Sequence, residues 1–189
     1  MASARSLKLV AFGDSLTAGY NLPADAAFPA VLEKALRHDG YDVSIVNAGV
    51  SGNTAADGLA RLDWSVQEGT DGVILELGAN DMLRGLPPAR TEEVLGEILT
   101  KLRARHIKVL LAGMLASPSL GADYVKAFDA IYPKLAAQYD VPLYPFFLKG
   151  VAGQHGLLLS DGMHPNAAGV RAIVGAILPT VETFLKTML

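Results

Sequence analysis

Short apolar segments alternate along the chain with longer segments of helical periodicity, and this alternation restricts the possible folds more than any other feature. Five of the apolar segments have the length and composition of buried strands. The predicted strands span residues 7–12, 43–46, 72–77, 109–112 and 141–144.

The segments between these strands repeat their apolar residues every three or four positions, as the buried face of a helix requires. Helices are predicted over residues 91–105, 125–139 and 166–185, with another from Asp25 to about residue 37 and one that begins at Thr54. Proline interrupts two of these patterns. We expect Pro133 to kink the helix over 125–139 and Pro179 to bend the last helix.

Strands that alternate with helices indicate an α/β fold, in which helices cover both faces of a parallel sheet. The prediction is a three-layer α/β/α sandwich around a five-stranded parallel sheet. Right-handed crossovers favour the flavodoxin-like strand order 2-1-3-4-5. The chain has 189 residues without internal repeats or linker-like segments, so we expect residues 1–189 to form a single domain.

Composition argues against several classes of function. The formal net charge is -3 and the basic residues form no cluster, so no nucleic-acid partner is expected. The absence of cysteine excludes thiolate catalysis and zinc–thiolate sites. No Gly-x-Gly-x-x-Gly motif follows the first strand, and no His-x-His or Asp-x-His pair is present, so neither a cofactor nor a metal is expected.

The targeting signals in the sequence are weak. No apolar run approaches the roughly 20 residues that span a bilayer, so stable membrane insertion is not expected. Residues 1–6 lack the apolar region of a signal peptide. We therefore expect a cytoplasmic protein, or a periplasmic or secreted one if a signal peptide has been removed. The sequence favours no oligomeric state.

Polar residues follow four of the five predicted strands, at the edge of the sheet where ligands bind in open α/β folds. These loops contain Gly13-Asp14-Ser15-Leu16, residues 47–54 with Gly52, Asn80-Asp81, and Asp161-Gly-Met-His164-Pro165. Each loop taken alone is equally consistent with a turn or a helix cap. Their joint position at one edge of the sheet favours a catalytic site.

Ser15 is the candidate nucleophile of this site, since a strand-to-helix turn can present its hydroxyl at the sheet edge. A serine hydroxyl needs an adjacent base, and His164 is the candidate because Pro165 restricts the direction of its backbone. Asp161 lies three residues before His164 and can orient the imidazole. The backbone N–H groups of Ser15 and Gly52 and the side-chain amide of Asn80 are candidate donors for an oxyanion hole.

These residues match the blocks of the SGNH (GDSL-type) hydrolase superfamily, which the chain resembles from end to end. Ser15, Gly52, Asn80 and His164 stand at its four name-giving positions, and Asp161 completes the triad. Residues 12–20, 59–62, 130–135 and 141–147 are similar to the bacterial arylesterase and multifunctional acyl-CoA thioesterase/lysophospholipase branch, whose members are commonly exported.

The resemblance implies a serine hydrolase of carboxylic esters that forms an acyl-enzyme on Ser15. Its substrates are small-molecule aryl or short- to medium-chain acyl esters, with thioesters and lysophospholipids as further candidates. Asp14 is expected to support the nucleophile loop by hydrogen bonds. Met82, Leu83 and Leu86 follow the oxyanion asparagine and either border an acyl groove or anchor their loop to the core.

Two other functions are compatible with parts of the pattern. Hard metal ligands would cluster at the same sheet edge, which a metal-dependent phosphoesterase requires. These residues are Asp14, Asn80, Asp81, Asp161 and His164. A non-catalytic flavodoxin-like binding module is the second alternative. It is the weaker one, because the acidic pair and lysine of a receiver-like site are not evident.

Overall fold

The computed structural model describes residues 6–189. This part of the chain contains five strands, which are β1 (Leu7–Gly13), β2 (Val43–Gly49), β3 (Gly72–Glu76), β4 (Lys108–Ala112) and β5 (Leu143–Tyr144). The α-helices are α1 (Ser15–Ala18), α2 (Phe28–His38), α3 (Ala55–Ser65), α4 (Ala79–Leu83), α5 (Pro88–Ala104), α6 (Ala122–Asp129), α7 (Ile131–Tyr139) and α8 (Ala167–Lys186). Short 3₁₀ turns lie at Ala24–Ala26, Pro118–Leu120 and His155–Leu157.

The five strands form one parallel sheet in the order β2-β1-β3-β4-β5, which confirms the predicted α/β class and strand order. Register aligns the carboxyl ends of the first three strands, because Gly13 of β1 pairs with Gly49 of β2 and with Glu76 of β3. The loops that follow these strands consequently start from the same edge of the sheet.

The core lies between the sheet and two packed groups of helices. Strands β1, β3 and β4 are almost entirely buried, as central strands covered on both faces must be. Helix α2 packs on α8, while α3 and α7 both pack on α5. The sheet edge that carries the polar loops is thereby held on both sides by rigid helices.

Proline explains two helix boundaries that sequence reasoning placed wrongly. Helix α2 begins at Phe28 with Pro29 in its first turn, whereas Asp25 lies in a separate 3₁₀ turn. The single kinked helix predicted over residues 125–139 is two helices, separated at Ala130. Pro133 has no N–H to donate to the carbonyl of Asp129, so the helix ends there and Pro133 occupies the first turn of α7.

Two strands also differ in length from their predictions by more than one residue. Strand β2 continues to Gly49 rather than ending at Val46, because Asn47, Ala48 and Gly49 pair with the last three residues of β1. Strand β5 is only Leu143–Tyr144, paired with the end of β4. Pairing with a neighbouring strand decides both boundaries, and local composition does not encode it.

Helix α8 is long and apolar enough to cross a membrane, by length and composition alone. It belongs to the core, where the face that carries its branched and aromatic residues is buried and packs on α2 and on the 3₁₀ turn at His155–Leu157. The helix continues through Pro179. Its N-terminus is capped by Asn166, whose side-chain oxygen accepts the N–H groups of Ala168 and Gly169.

Candidate active site

Ser15 is the first residue of α1, directly after the turn that ends β1. Asp14 is the N-cap of this helix, and its Oδ1 accepts the N–H of Leu16 at 2.9 Å. Gly13 cannot carry a side chain, because a Cβ there would lie 2.1 Å from Thr17 Oγ1 and 2.5 Å from Glu76 Oε2. The sharp strand-to-helix turn therefore requires glycine and presents Ser15 at the sheet edge.

Ser15, His164 and Asp161 form one hydrogen-bonded chain. The Nε2 atom of His164 lies 2.9 Å from Ser15 Oγ, and its Nδ1 atom lies 2.7 Å from Asp161 Oδ2. A carboxylate only accepts hydrogen bonds, so the Nδ1 atom that contacts Asp161 must carry the imidazole proton. The Nε2 atom is then free to accept the serine proton. The structure thus brings together the three residues predicted as a triad, although Ser15 and His164 are 149 positions apart in sequence.

Backbone hydrogen bonds fix the Asp161 carboxylate within its own loop. Its Oδ1 accepts the N–H groups of His164 and Met163, both at 2.9 Å, and Gly162, between Asp161 and Met163, has a positive φ of 70°. These two N–H groups, together with the imidazole, lower the pKa of Asp161 to about 2. Asp161 consequently remains ionised through the whole neutral range and can hold the imidazole in one tautomer.

The candidate oxyanion donors line the same cavity as His164. Ser15, Gly52 and Asn80 all contact it, and Gly52 adopts a positive φ of 83° in the turn after β2. The amide nitrogen of Asn80 donates to Asp14 Oδ2 and to the carbonyl of Asn53, both at 3.0 Å. Both amide protons of Asn80 therefore have protein acceptors in this structure, and an oxyanion must compete for one of them.

Two buried acids lie beneath the nucleophile. Asp14 is fully buried, and this burial raises its pKa to about 6. The hydrogen bonds from Leu16 and Asn80 lower the pKa, but burial has the larger effect. Glu76 is also buried, and its pKa is raised well above the ordinary value. The larger cause is burial, and the second is the nearby carboxylate of Asp14. The Oε2 atom of Glu76 accepts the hydroxyl of Thr17 at 2.8 Å. Glu76 therefore keeps its proton to a higher pH than an ordinary glutamate, and the pKa of Asp14 lies at about 6.

Arg61 connects the loops around the site, and sequence reasoning gave it no role. Its Nη2 donates to the carbonyl of Gly13 at 2.8 Å, its Nη1 to the carbonyl of Ala48 at 2.9 Å, and its Nε to Asn53 Oδ1 at 2.6 Å. The guanidinium also lies 4.2 Å from the centre of the Phe12 ring. One side chain on α3 thus joins the ends of β1 and β2 to the loop that carries Gly52.

A cavity of about 730 Å³ opens beside Ser15 and has a mostly apolar lining. Met82 and Leu83 line it, as expected if these residues border an acyl groove. Leu86 lies outside the lining and packs in the loop, where its carbonyl accepts the hydroxyl of Tyr124. Other apolar lining residues follow β4 and β5 and were missed from the sequence. They are Met114, Leu115, Ala116, Pro118, Phe146, Leu148 and Ala152.

The hard ligand types do not assemble around a common point. Within residues 6–189, no group of three or more His, Asp or Glu side chains is arranged to hold a metal ion. Asp81 instead accepts the N–H of Ala55 at 2.8 Å and the hydroxyl of Thr91 at 3.2 Å. Its carboxylate caps α3 from outside, so one of the five candidate ligands has a structural role.

A carboxylate, an imidazole and a serine hydroxyl, hydrogen-bonded in this order, are the groups with which serine hydrolases attack an acyl carbonyl. Comparison with protein families agrees with this class. The model of the GDSL-like lipase/acylhydrolase family matches residues 11–172, and the chain belongs to this family. The protein is a serine hydrolase of carboxylic esters, and neither the phosphoesterase nor the binding-module alternative is supported.

Characterised relatives cover most of the chain. Esterase TesA of Pseudomonas aeruginosa is 40% identical over 97% of this chain and 91% of its own length. Thioesterase 1/protease 1/lysophospholipase L1 of Escherichia coli is 43% identical over 84% of this chain and 75% of its own. An arylesterase of Vibrio mimicus is 40% identical over 87% of this chain and 83% of its own.

Solved structures of related esterases have the same fold. A crystal structure of TesA superposes with a TM-score of 0.89 at 40% identity and covers 94% of this chain and 99% of that chain. The crystal structure of AlinE4, an SGNH-hydrolase family esterase, gives a TM-score of 0.81 at 46% identity and covers 97% and 99%. The α/β architecture derived from the sequence is therefore that of experimentally determined ester hydrolases.

Proposed function

We propose that this ester hydrolase forms an acyl-enzyme on Ser15, with His164 as general base and Asp161 as the carboxylate that orients it. The observation that carries the proposal is the position of His164, whose two ring nitrogens contact Ser15 Oγ at 2.9 Å and Asp161 Oδ2 at 2.7 Å. His164 removes the proton of Ser15 as Oγ attacks the acyl carbonyl, and then returns it to the leaving group. Water hydrolyses the acyl-enzyme by the same route.

The oxyanion of each tetrahedral intermediate is stabilised by the N–H groups of Ser15 and Gly52 and by the amide of Asn80. The geometry around Asn80 supports this role with one condition. Its amide must turn one proton from Asn53 or Asp14 toward the oxyanion, because both protons have acceptors without substrate. Asp14 supports the loop by capping α1 through Leu16 and takes no chemical step.

The substrates are small-molecule esters whose acyl or aryl group occupies the 730 Å³ cavity. Its apolar lining and volume favour short- to medium-chain acyl groups and aryl groups. Relatives are named as arylesterase, thioesterase and lysophospholipase, so thioesters and lysophospholipids belong to the proposed range. All of these substrates present the same carbonyl to the same catalytic groups, and the cavity selects among them.

Covalent labelling tests the proposed nucleophile. Incubation with a fluorophosphonate, digestion and peptide mass spectrometry should place the adduct on Ser15 and abolish hydrolysis of p-nitrophenyl butyrate. Treatment with EDTA should leave the rate unchanged. An adduct on another serine, or activity lost to EDTA and restored by a divalent metal, contradicts the proposal.

A matched pair of leucines tests the proposed acyl site. Leu83 lines the cavity and Leu86, three residues later, does not. Leu83→Ser should lower the ratio of kcat/KM for p-nitrophenyl octanoate to that for acetate, while Leu86→Ser should leave this ratio unchanged. The ratio is independent of how much protein is folded. Equal effects of both variants would mean that the acyl chain binds elsewhere.

A further inference from the structure

Tyr20 covers one face of the His164 imidazole, and no step of the proposed reaction uses it. The two ring centroids lie 4.4 Å apart with an angle of 34° between the planes. Offset and tilted contacts at this distance are favourable between aromatic rings. Tyr20 is 40% exposed at the mouth of the cavity, so its ring contributes little to the core.

The backbone of Tyr20 is hydrogen-bonded to the backbone of the nucleophile, Ser15. Its N–H donates to the carbonyl of Ser15 at 3.1 Å, and the N–H of Gly19 donates to the same oxygen at 3.2 Å. Gly19 has a positive φ of 79°, and a Cβ there would lie 2.5 Å from the Cβ of Ala27. The end of α1 therefore requires glycine, and this turn sets where the chain leaves the helix at Tyr20.

Nucleophile and base otherwise belong to different parts of the fold. Ser15 begins a helix at the end of a central strand, whereas His164 lies in a loop with the partly exposed Asp161. Hydrogen bonds to Asp161 and Ser15 hold the two ring nitrogens of the imidazole, and they place no contact on either face of the ring. The Tyr20 ring supplies a contact to one face, from the turn that directly follows α1, the helix that carries Ser15.

We propose that Tyr20 is a positioning residue for His164. The Tyr20 ring holds the imidazole against Ser15 and stabilises the imidazolium that forms when Ser15 loses its proton. This inference rests on the proposed acyl-enzyme mechanism. An aromatic face close to a cation contributes about 0.5–2 kcal/mol, and only after proton transfer is the ring cationic. The contact consequently acts on the transition state more than on the bound substrate, and kcat should respond more strongly than KM.

The test measures two rates in three variants. Tyr20→Ala should lower kcat/KM for p-nitrophenyl acetate, and the rate of Ser15 labelling by a small fluorophosphonate, by a similar factor of about 2 to 30. Tyr20→Phe keeps the ring face and should remain within about twofold of the wild type. Trp64→Ala is the control, because Trp64 is 81% exposed and outside the cavity lining, and it should change neither rate. A Tyr20→Ala enzyme with wild-type rates, or a Tyr20→Phe enzyme as slow as Tyr20→Ala, overturns the inference.

A double-mutant cycle separates positioning of the base from direct contact with the substrate. In a His164→Ala background, Tyr20→Ala should cause no further loss in the rate of fluorophosphonate labelling. An equal loss in both backgrounds would show that Tyr20 acts on the substrate instead, and would overturn the inference. The proposed mechanism fails by a different result, a fully active Ser15→Ala enzyme, so the two failures are distinguishable.

Discussion

Asp161 combines a partly exposed position with a carboxylate that is difficult to protonate. Two backbone N–H groups and the imidazole lower its pKa to about 2, so acid does not neutralise it until far below the neutral range. Asp161→Asn keeps the shape but can donate to Nδ1, which favours the wrong tautomer of His164. We expect kcat to fall by up to ~10⁴. Asp25→Asn, at an exposed acid in a 3₁₀ turn, is the matched control and should be fully active.

Asn80 has a structural and a proposed catalytic role in the same amide group. It joins the Asp14 carboxylate to the carbonyl of Asn53, next to Gly52. Removal of one oxyanion donor typically costs ~10²–10³ in kcat. Asn80→Ala should therefore lower kcat for p-nitrophenyl butyrate by that factor, with a much smaller change in KM. A large rise in KM at constant kcat would mean that Asn80 serves substrate binding alone.

Helix α3 shows how a secondary-structure element supports the loop that precedes it. Thr54 and Asp57 form a capping box, with the threonine hydroxyl accepting the N–H of Asp57 and the aspartate accepting the N–H of Thr54. Arg61, on the same helix, holds the ends of β1 and β2. The start of α3 therefore determines the position of the segment that contains Gly52.

Thr54→Ala should consequently destabilise the protein by ~1 kcal/mol, the usual cost of an N-cap. Urea unfolding followed by circular dichroism measures the change. Thr183→Ala removes an exposed threonine whose hydroxyl bonds within α8, and it should stay within ~0.5 kcal/mol of the wild type. Equal stabilities of the two variants would show that the capping box contributes nothing to the fold.

The sequence predicts the elements and the polar residues at strand ends, because both follow from local patterns and from the geometry of parallel sheets. It does not predict contacts between side chains of segments that are distant in sequence. Glu76 was detectable as an acid within a buried apolar strand. Arg61 and Tyr20 have ordinary positions on a helix and after a helix, and only the packing of distant segments gives them partners.

The cavity illustrates the same limit. The loop after β4, which carries none of the predicted catalytic residues, lines the cavity with Met114, Leu115, Ala116, Ser117 and Pro118. An apolar residue beyond a strand end fits a core anchor or a ligand site equally well, as Leu83 at the end of α4 and Leu86 in the loop that follows show within three positions. Only the direction in which each side chain points separates these cases, and loop conformation sets that direction.

The buried acid pair makes the stability of the whole protein depend on pH. Folded Asp14 keeps its proton up to about pH 6, whereas the unfolded chain releases it near 3.8. Between these values the folded state binds more protons, so Asp14 lowers the free energy of unfolding as the pH rises from about 4 to about 6. The fold therefore holds a carboxyl group beneath its nucleophile at some cost in stability at neutral pH.

Asp14→Asn tests this linkage, since asparagine does not titrate. The free energy of unfolding of the variant minus that of the wild type should rise between pH 4 and pH 7 by an amount on the order of 1–3 kcal/mol. Urea titrations at each pH measure it, and the slope is independent of any constant effect of the substitution. A difference that stays flat with pH would mean that Asp14 is ionised equally in the folded and unfolded chains.

The proposed mechanism depends on Ser15 as the nucleophile of an ester hydrolase. The most direct measurement is the turnover of p-nitrophenyl butyrate by the wild type and by Ser15→Ala, with circular dichroism to show that both are folded. We expect rapid hydrolysis by the wild type and a nearly inactive variant. Equal turnover by Ser15→Ala would contradict the proposed mechanism.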